Sequence, residues 1–192
     1  MDAEKLADGT RYSEVKGSAY ETEEYLPGVL LTNTDVEFEI PLRYNIYLDQ
    51  MQFIRDDKGY TVTTAVKEAN FGNRKYISLY HLSRLGFYEE IHKTDRVQVL
   101  KKHKKMYKPQ SEAEGYRDPE PARFIDDKPV YFLLIDAVNL IELRGKKEIQ
   151  NSFDDKIILG YIKGKKLNFK KDEDAIKLAD FITDENLMTS AE

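Results

Sequence analysis

The chain of 192 residues contains no cysteine and no tryptophan. Without cysteine there can be no disulfide, thiolate nucleophile, zinc ribbon or iron–sulfur ligation. The compartment stays open, because cysteine-free proteins occur in oxidising and reducing surroundings alike. Glycine and proline are sparse, at ten and six residues. Gly160 and Gly164 stand alone, and nothing resembles a glycine-rich phosphate loop. No apolar run approaches the ~20 residues that span a bilayer. A nucleophile elbow of the form G-x-S-x-G is also missing.

The remaining chemistry-bearing residues do not converge in sequence. His81, His92 and His103 are evenly spaced, but no carboxylate pair at metal-ligand spacing accompanies them. His103 lies in a lysine run, where positive charge opposes metal binding. Glu89 and Glu90 are neighbours on a strand-type segment, so they point to opposite faces and cannot form an acid–base pair with each other. The expectation is a protein that is not an enzyme, with no catalytic, cofactor or metal site.

What is present is a β-rich pattern. Thirteen tyrosines and nine phenylalanines suit pleated, half-buried surfaces. Residues 36–48 read V-E-F-E-I-P-L-R-Y-N-I-Y-L, with every even position apolar or aromatic. A period of two predicts a strand with one dry face. A strand that long must curve, and Pro41, lacking an N–H, marks a bulge or an unpaired edge. The reading predicts Phe38, Ile40, Leu42, Tyr44 and Ile46 buried, with Glu37, Glu39 and Arg43 exposed.

Further strands are predicted at 60–66, 76–80, 87–92, 97–100, 130–135 and 138–143. Turns fall at 56–59, 70–74, 93–95 and 136–137. Residues 109–122 are rich in Pro, Glu, Ser and Gly and predict an exposed loop. After Gly145 the period changes to about 3.6. Ser152 and Asp155 form a variant capping box before Ile157, Ile158, Tyr161 and Ile162. Asp172, Glu173 and Asp174 give an acidic first turn to a last helix with Ala175, Leu178, Ala179 and Ile182 on its dry face.

Strands first and helices last predict an α+β fold: a curved antiparallel β-sheet, half-barrel or open barrel, with two or three C-terminal helices. Residues 1–24 are polar, acidic and aperiodic, and predict a flexible lead-in. Residues 25–192 are expected to form a single domain, β-rich over 25–144 and helical over 145–183.

The formal charge of −5 is uneven, since residues 1–40 hold ten acids against three bases. That balance disfavours a nucleic-acid partner. The tract 101–108 has Lys101, Lys102, Lys104, Lys105 and Lys108. It reads as a contact for an anionic surface such as lipid headgroups, as a lysine-protected edge strand, or as neutralisation of the acidic N-terminal stretch. The aromatic stripe of Phe38, Tyr44, Phe53 and Tyr60 reads either as the lining of a pocket in the concave face or as ordinary core.

Several motifs occur in a distinctive order: G-S-x-Y at 17–20, P-G at 27–28, P-L-R-Y-N-I-Y-L-D-Q-M-Q-F at 41–53, A-R-F-I-D at 122–126 and K-K-L-N-F-K-K-D-E-D at 165–174. As a set they resemble a group of uncharacterised exported proteins of Bacteroidetes-type bacteria, over nearly the whole chain. The sequence departs from that pattern at Ala19, where the family has proline. The resemblance implies export to the periplasm or cell envelope, and it implies no activity and no site residues. It leads to the expectation of an apolar signal segment upstream of Asp2, with or without a lipid-attachment cysteine, removed from the mature protein. The functional expectation is a non-enzymatic envelope protein that binds a protein or an envelope component. The alternative is a carrier of an apolar ligand such as a lipid.

Overall fold

The computed structural model describes residues 5–6, 9–112, 118–153 and 156–187. It is an α+β protein in which antiparallel strands precede helices. The strands are β1 (Gly28–Thr32), β2 (Glu37–Glu39), β3 (Leu42–Asn45), β4 (Gln50–Arg55), β5 (Lys58–Thr61), β6 (Val66–Phe71), β7 (Arg74–His81), β8 (Arg84–Lys93), β9 (Val97–Lys108), β10 (Arg123–Ile135) and β11 (Asn139–Glu142). Helices α1 (Lys146–Ser152), α2 (Lys156–Lys165) and α3 (Asp172–Asp184) follow. One sheet has the order β11-β10-β9-β8-β7-β6-β1-β2 and is not closed; the other is β3-β4-β5.

The turns explain why so many strands pair in sequence. Asp56 and Asp57, Leu82 and Ser83, and Asp136 and Ala137 all have positive φ, as do Gly72 and Asn73. Two consecutive left-handed residues make the tight turn whose twist matches that of a hairpin.

The long strand predicted over 36–48 is two strands. β2 stops at Glu39 and β3 starts at Leu42, and the two belong to different sheets. Pro41 lies at the break, where a residue without an N–H cannot continue a ladder. Beyond it the even positions are dry only over 42–46, since Leu48 is exposed and Asn45 on the other parity is buried. Leu42 and Tyr44 are fully buried and Ile46 is buried, whereas Phe38 is 47% exposed. Ile40 and Arg43 are half-buried, and Glu37 and Glu39 are exposed. Phe38 sits on a three-residue edge strand paired on one side with β1, and all three of its residues are exposed.

The chain divides into two compact units, residues 1–87 with 104–127 and residues 88–103 with 128–192. This differs from the single domain expected over 25–192. The first unit has a core of Leu30, Leu42, Tyr44, Met51, Phe71, Tyr76 and Phe87. The Tyr44 and Tyr76 rings lie 5.3 Å apart, and Phe71 stacks on Tyr76. Burial pushes the Tyr44 phenol well above its ordinary range, helped by the adjacent Asp49 carboxylate. The hydroxyl donates to Asp49 Oδ1 at 2.7 Å, and the same oxygen accepts from the Phe87 N–H at 3.1 Å.

The flexible lead-in is also revised. Leu6, Val15, Ala19 and Tyr20 are buried with Phe124 in a second cluster of this unit. Residues 1–4 and 7–8 of the lead-in, residues 113–117 of the predicted loop and Asp155 of the predicted capping box lie outside the described residues. The described ends of that loop are joined, with Ser111 and Glu120 exchanging backbone hydrogen bonds at 3.0 and 3.2 Å.

In the second unit the spacing of α3 predicts its buried face correctly. Ala175, Leu178, Ala179 and Ile182 are all fully buried, in a cluster with Val97, Val99, Tyr131, Leu133 and Ile135. Ile158 of α2 joins that core, while Ile157 is 58% exposed and faces away from it. Tyr161 and Phe181 stack with ring centroids 3.8 Å apart.

Truncation should separate the two parities. Ile46→Ala, which removes buried methyl groups, should lower stability by about 2–4 kcal/mol through lost transfer energy and a cavity. Phe38→Ala should cost under about 1 kcal/mol. Urea midpoints with an unchanged m-value would show this, and equal losses would contradict the assignment of the strand break.

Candidate functional site

A cleft lies wholly within the first unit. It has a volume of about 830 Å³, and its lining includes Tyr12, Tyr20, Tyr25, Arg43, Gln52 and Tyr60. Three stretches of chain build it. Residues 15–17 are fastened to 122–124 by Lys16 N–H to Ala122 O at 2.9 Å and Phe124 N–H to Lys16 O at 2.8 Å. Gly17 is required there: its φ is +76°, and a Cβ would lie 2.8 Å from the Phe124 carbonyl oxygen, a conformation and an approach that only glycine accepts.

Residues 19–26 then run along the outer edge of β3. Glu21 N–H donates to Tyr44 O at 3.0 Å, Leu26 and Leu42 exchange bonds at 2.8 Å, and Tyr47 N–H donates to Ala19 O at 3.1 Å. The third stretch is β5, all four residues of which are exposed and line the cleft.

Arg43 joins these parts. Its guanidinium carbon sits 4.0 Å from the centre of the Tyr20 ring and 4.4 Å from that of Tyr25. Nε donates to Gln52 Oε1 at 2.8 Å, Nη1 to Glu23 O at 3.2 Å and Nη2 to the Tyr20 hydroxyl at 3.1 Å. A planar cation between two rings, with its donors spread in a fork, is an arrangement that suits arginine and not lysine. The neighbouring Glu21, which does not line the cleft, accepts from the Tyr76 hydroxyl at 2.6 Å and pairs with Arg74, which helps to fix the segment that carries Tyr20. The cleft therefore presents fixed aromatic edges and a spread of donors and acceptors. Such a surface recognises a ligand by shape and hydrogen bonding.

The four aromatic residues of the predicted pocket are not brought together. Phe38 is exposed on β2, and Tyr44 is sealed inside the core, where it lines nothing. Phe53 is half-buried and stacks on Tyr60 with centroids 5.2 Å apart. Tyr60 alone lines the cleft.

The lysine tract does not form an edge strand, since β9 lies between β8 and β10. Its side chains alternate in direction along the strand, and most are engaged locally. Lys105 pairs with Asp126 at 2.9 Å and Lys108 with Glu120 at 2.6 Å. In the second unit Lys101 pairs with Asp172 at 2.9 Å, and the Lys102 ammonium lies 4.4 Å from the centre of the Tyr88 ring. Lys104 is half-buried on the same strand. The acids paired with these lysines, Glu120, Asp126 and Asp172, all lie outside the acidic stretch of residues 1–40, so the contacts neutralise the tract locally and not the N-terminal charge.

Asp172 also accepts from the Tyr131 hydroxyl at 2.6 Å, and His103 Nε2 lies 2.6 Å from Glu89 Oε2. Burial pushes the Asp172 carboxyl up, but the Tyr131 and Lys101 hydrogen bonds outweigh it and hold the group below the usual carboxylate range. The Tyr131 phenol is raised by burial and by Asp172. Among the described residues no group of three or more His, Asp or Glu side chains is placed to hold a metal ion.

Sequence reasoning missed the cleft because its centre, Arg43, reads as an ordinary residue on a polar strand face. Its other wall lies in a segment read as unstructured. The available signal was Tyr12, Tyr20 and Tyr25, aromatic residues that a disordered acidic stretch normally lacks. No family model, curated protein or solved structure matches the chain.

Two measurements test these contacts. Arg43→Met should cost about 2–3 kcal/mol, from hydrogen bonds to a charged group and two ring contacts. Arg43→Lys should recover less than half of that, because it restores the charge without the fork. A lysine variant as stable as the parent would contradict the account. The depressed Asp172 carboxyl stabilises the fold above the unfolded-state value near ~3.9 and loses that contribution as pH falls through its lower folded-state value. Urea midpoints between pH 2 and 6 should therefore fall less steeply in Asp172→Asn than in the parent. Parallel curves would remove the role given to Asp172.

Proposed function

We propose that this protein is a non-enzymatic binding protein of the cell envelope, and that it holds a macromolecular partner in the cleft centred on Arg43. The observation that carries the reading is the construction of that cleft. Tyr20, Tyr25 and Gln52 are fixed around one guanidinium, while Tyr60 and the rest of β5 stay open to solvent. Rigid aromatic groups beside satisfied polar ones lose little entropy on binding, which favours recognition over chemistry.

Carriage of an apolar ligand is less well supported. The core of the first unit is filled by Leu42, Tyr44, Met51 and Tyr76, all fully buried. Among the described residues no helix is long and apolar enough to cross a membrane, so the envelope assignment is not that of a helical membrane-spanning protein. Export itself rests on the resemblance to exported proteins carried by the motifs at 17–20, 41–53 and 165–174.

The test is photocrosslinking in the native cell. A photoreactive phenylalanine analogue at Tyr60, in the cleft, is compared with the same analogue at Tyr80, which is 63% exposed and does not line it. A discrete, light-dependent adduct in the envelope fraction, formed from position 60 and not from position 80, is the expected result. Adducts of equal yield at both positions, or a protein recovered only from the cytosol, would overturn the proposal.

A further inference from the structure

The two edges of the small sheet are treated differently. The outer edge of β3 is occupied by the chain itself, through the bonds from Glu21 and Leu26. The outer edge of β5 is not paired by any described residue: β5 pairs with β4 alone. The register shows which groups are left. Val62 N–H donates to Met51 O at 2.8 Å, and the pairing continues as Gln52 with Thr61, Phe53 with Tyr60 and Ile54 with Gly59. In an antiparallel ladder, alternate residues turn their N–H and C=O groups inward. Tyr60 and Val62 therefore face β4, while Gly59 and Thr61 turn a donor and an acceptor each toward the open side, where the cleft lies.

Natural sheets protect a bare edge with charge, a bulge or a covering segment. β2 fits that rule, with Glu37 and Glu39 flanking Phe38. β5 is short and carries one lysine, which limits but does not close its edge, and Gly59, Tyr60 and Thr61 add no further charge, bulge or proline to it. Charge narrows what could pair with it. The first unit holds twenty acids against fifteen bases, a net of −5 that accounts for the whole charge of the chain, while the second unit is neutral. The charges lining the cleft balance, Glu23 and Asp57 against Lys58 and Arg43, whose guanidinium is engaged by Tyr20, Gln52 and the Glu23 carbonyl, so the acidity is that of the unit as a whole.

We infer that the partner is an extended, positively charged peptide that adds as a strand to the open edge of β5, accepting from and donating to Gly59 and Thr61 with its side chains against Tyr25 and Tyr60. This rests on the cleft being the binding site proposed above, and it names the class of ligand. Main-chain hydrogen bonds would give such binding its register, the alternate side chains its selectivity, and the acidic unit its attraction at a distance.

The experiment is an amide NMR titration of the full chain with a capped hexapeptide of alternating lysine and valine. The comparison probes are the glutamate–valine counterpart and a lysine–valine peptide N-methylated at alternate amides. Strand addition predicts saturable shifts centred on Gly59 and Thr61 with the basic peptide, binding at least tenfold weaker with the acidic one, and none with the methylated one. Thr61→Pro deletes an outward N–H and leaves the ladder to β4 intact. It should weaken binding at least fivefold without changing the spectrum of the β3–β4 pair. Binding unaffected by N-methylation and by Thr61→Pro, or shifts lying outside the cleft, would overturn the inference. So would a concentration-dependent dimer that pairs the β5 edges of two copies, or a neutral glucan oligosaccharide that moves Tyr25 and Tyr60 while the peptides do not. A position-60 crosslink in cells together with a failed peptide titration would remove strand addition and leave the cleft as a binding site.

Discussion

The guanidinium of Arg43 is the contact on which the candidate site depends. It lies between the rings of Tyr20 and Tyr25 and bonds Gln52, the Glu23 carbonyl and the Tyr20 hydroxyl. One side chain from β3 thereby ties β4 to a segment that has no regular structure of its own. Within residues 19–26 only Ala19 and Tyr20 are buried, with Leu26 packed partly against the core, a modest apolar anchor for eight ordered residues. Hydrogen bonds to the charged fork and to the open edge of β3 supply the remainder. Because that segment covers the edge of β3, only the β5 edge of the small sheet is left open, and the cleft is the space between the two.

The second unit is organised differently. Its helix α3 is held by an apolar face of four fully buried residues and positioned by polar contacts along its length. Asp172 takes Lys101 and Tyr131 at the first turn, His92 lies 2.7 Å from Asp180, and Thr94 meets Thr183 at 2.7 Å. Three acids in the first turn also suit the positive end of the helix dipole. These contacts fix where the helix docks and explain the local use of Lys101, without assigning the tract a ligand.

Much of the architecture was legible in the residues. The 3.6 period of 172–184 identified the buried face of α3 because each of its apolar positions meets the same core. The turns at Asp56-Asp57 and Asp136-Ala137 were legible because they interrupt alternating strands. The alternation at 36–48 was read correctly in period and too simply in extent. A period of two says that each residue is extended, but not that consecutive residues share a sheet, and Pro41 was the only local mark of the change. The site was much less legible. Arg43 acts through contacts with residues 18 to 23 positions before it, and no periodicity reports a contact between a strand and an irregular segment. The lysines of 101–108 suggested one patch because sequence adjacency hides the alternation of a strand. Their carboxylate partners at 120, 126 and 172 lie far along the chain.

The central claim, that residues 19–26 close one edge of the small sheet and leave the β5 edge open, is tested most directly by residue-resolved hydrogen exchange of the unliganded protein. The account predicts slow exchange at Glu21 and Leu26, whose N–H groups donate to Tyr44 and Leu42, and at Tyr60 and Val62, which face β4. It predicts fast exchange at Gly59 and Thr61, so that protection alternates along β5. Uniform protection across residues 59–62, or fast exchange at Glu21 and Leu26, would contradict it.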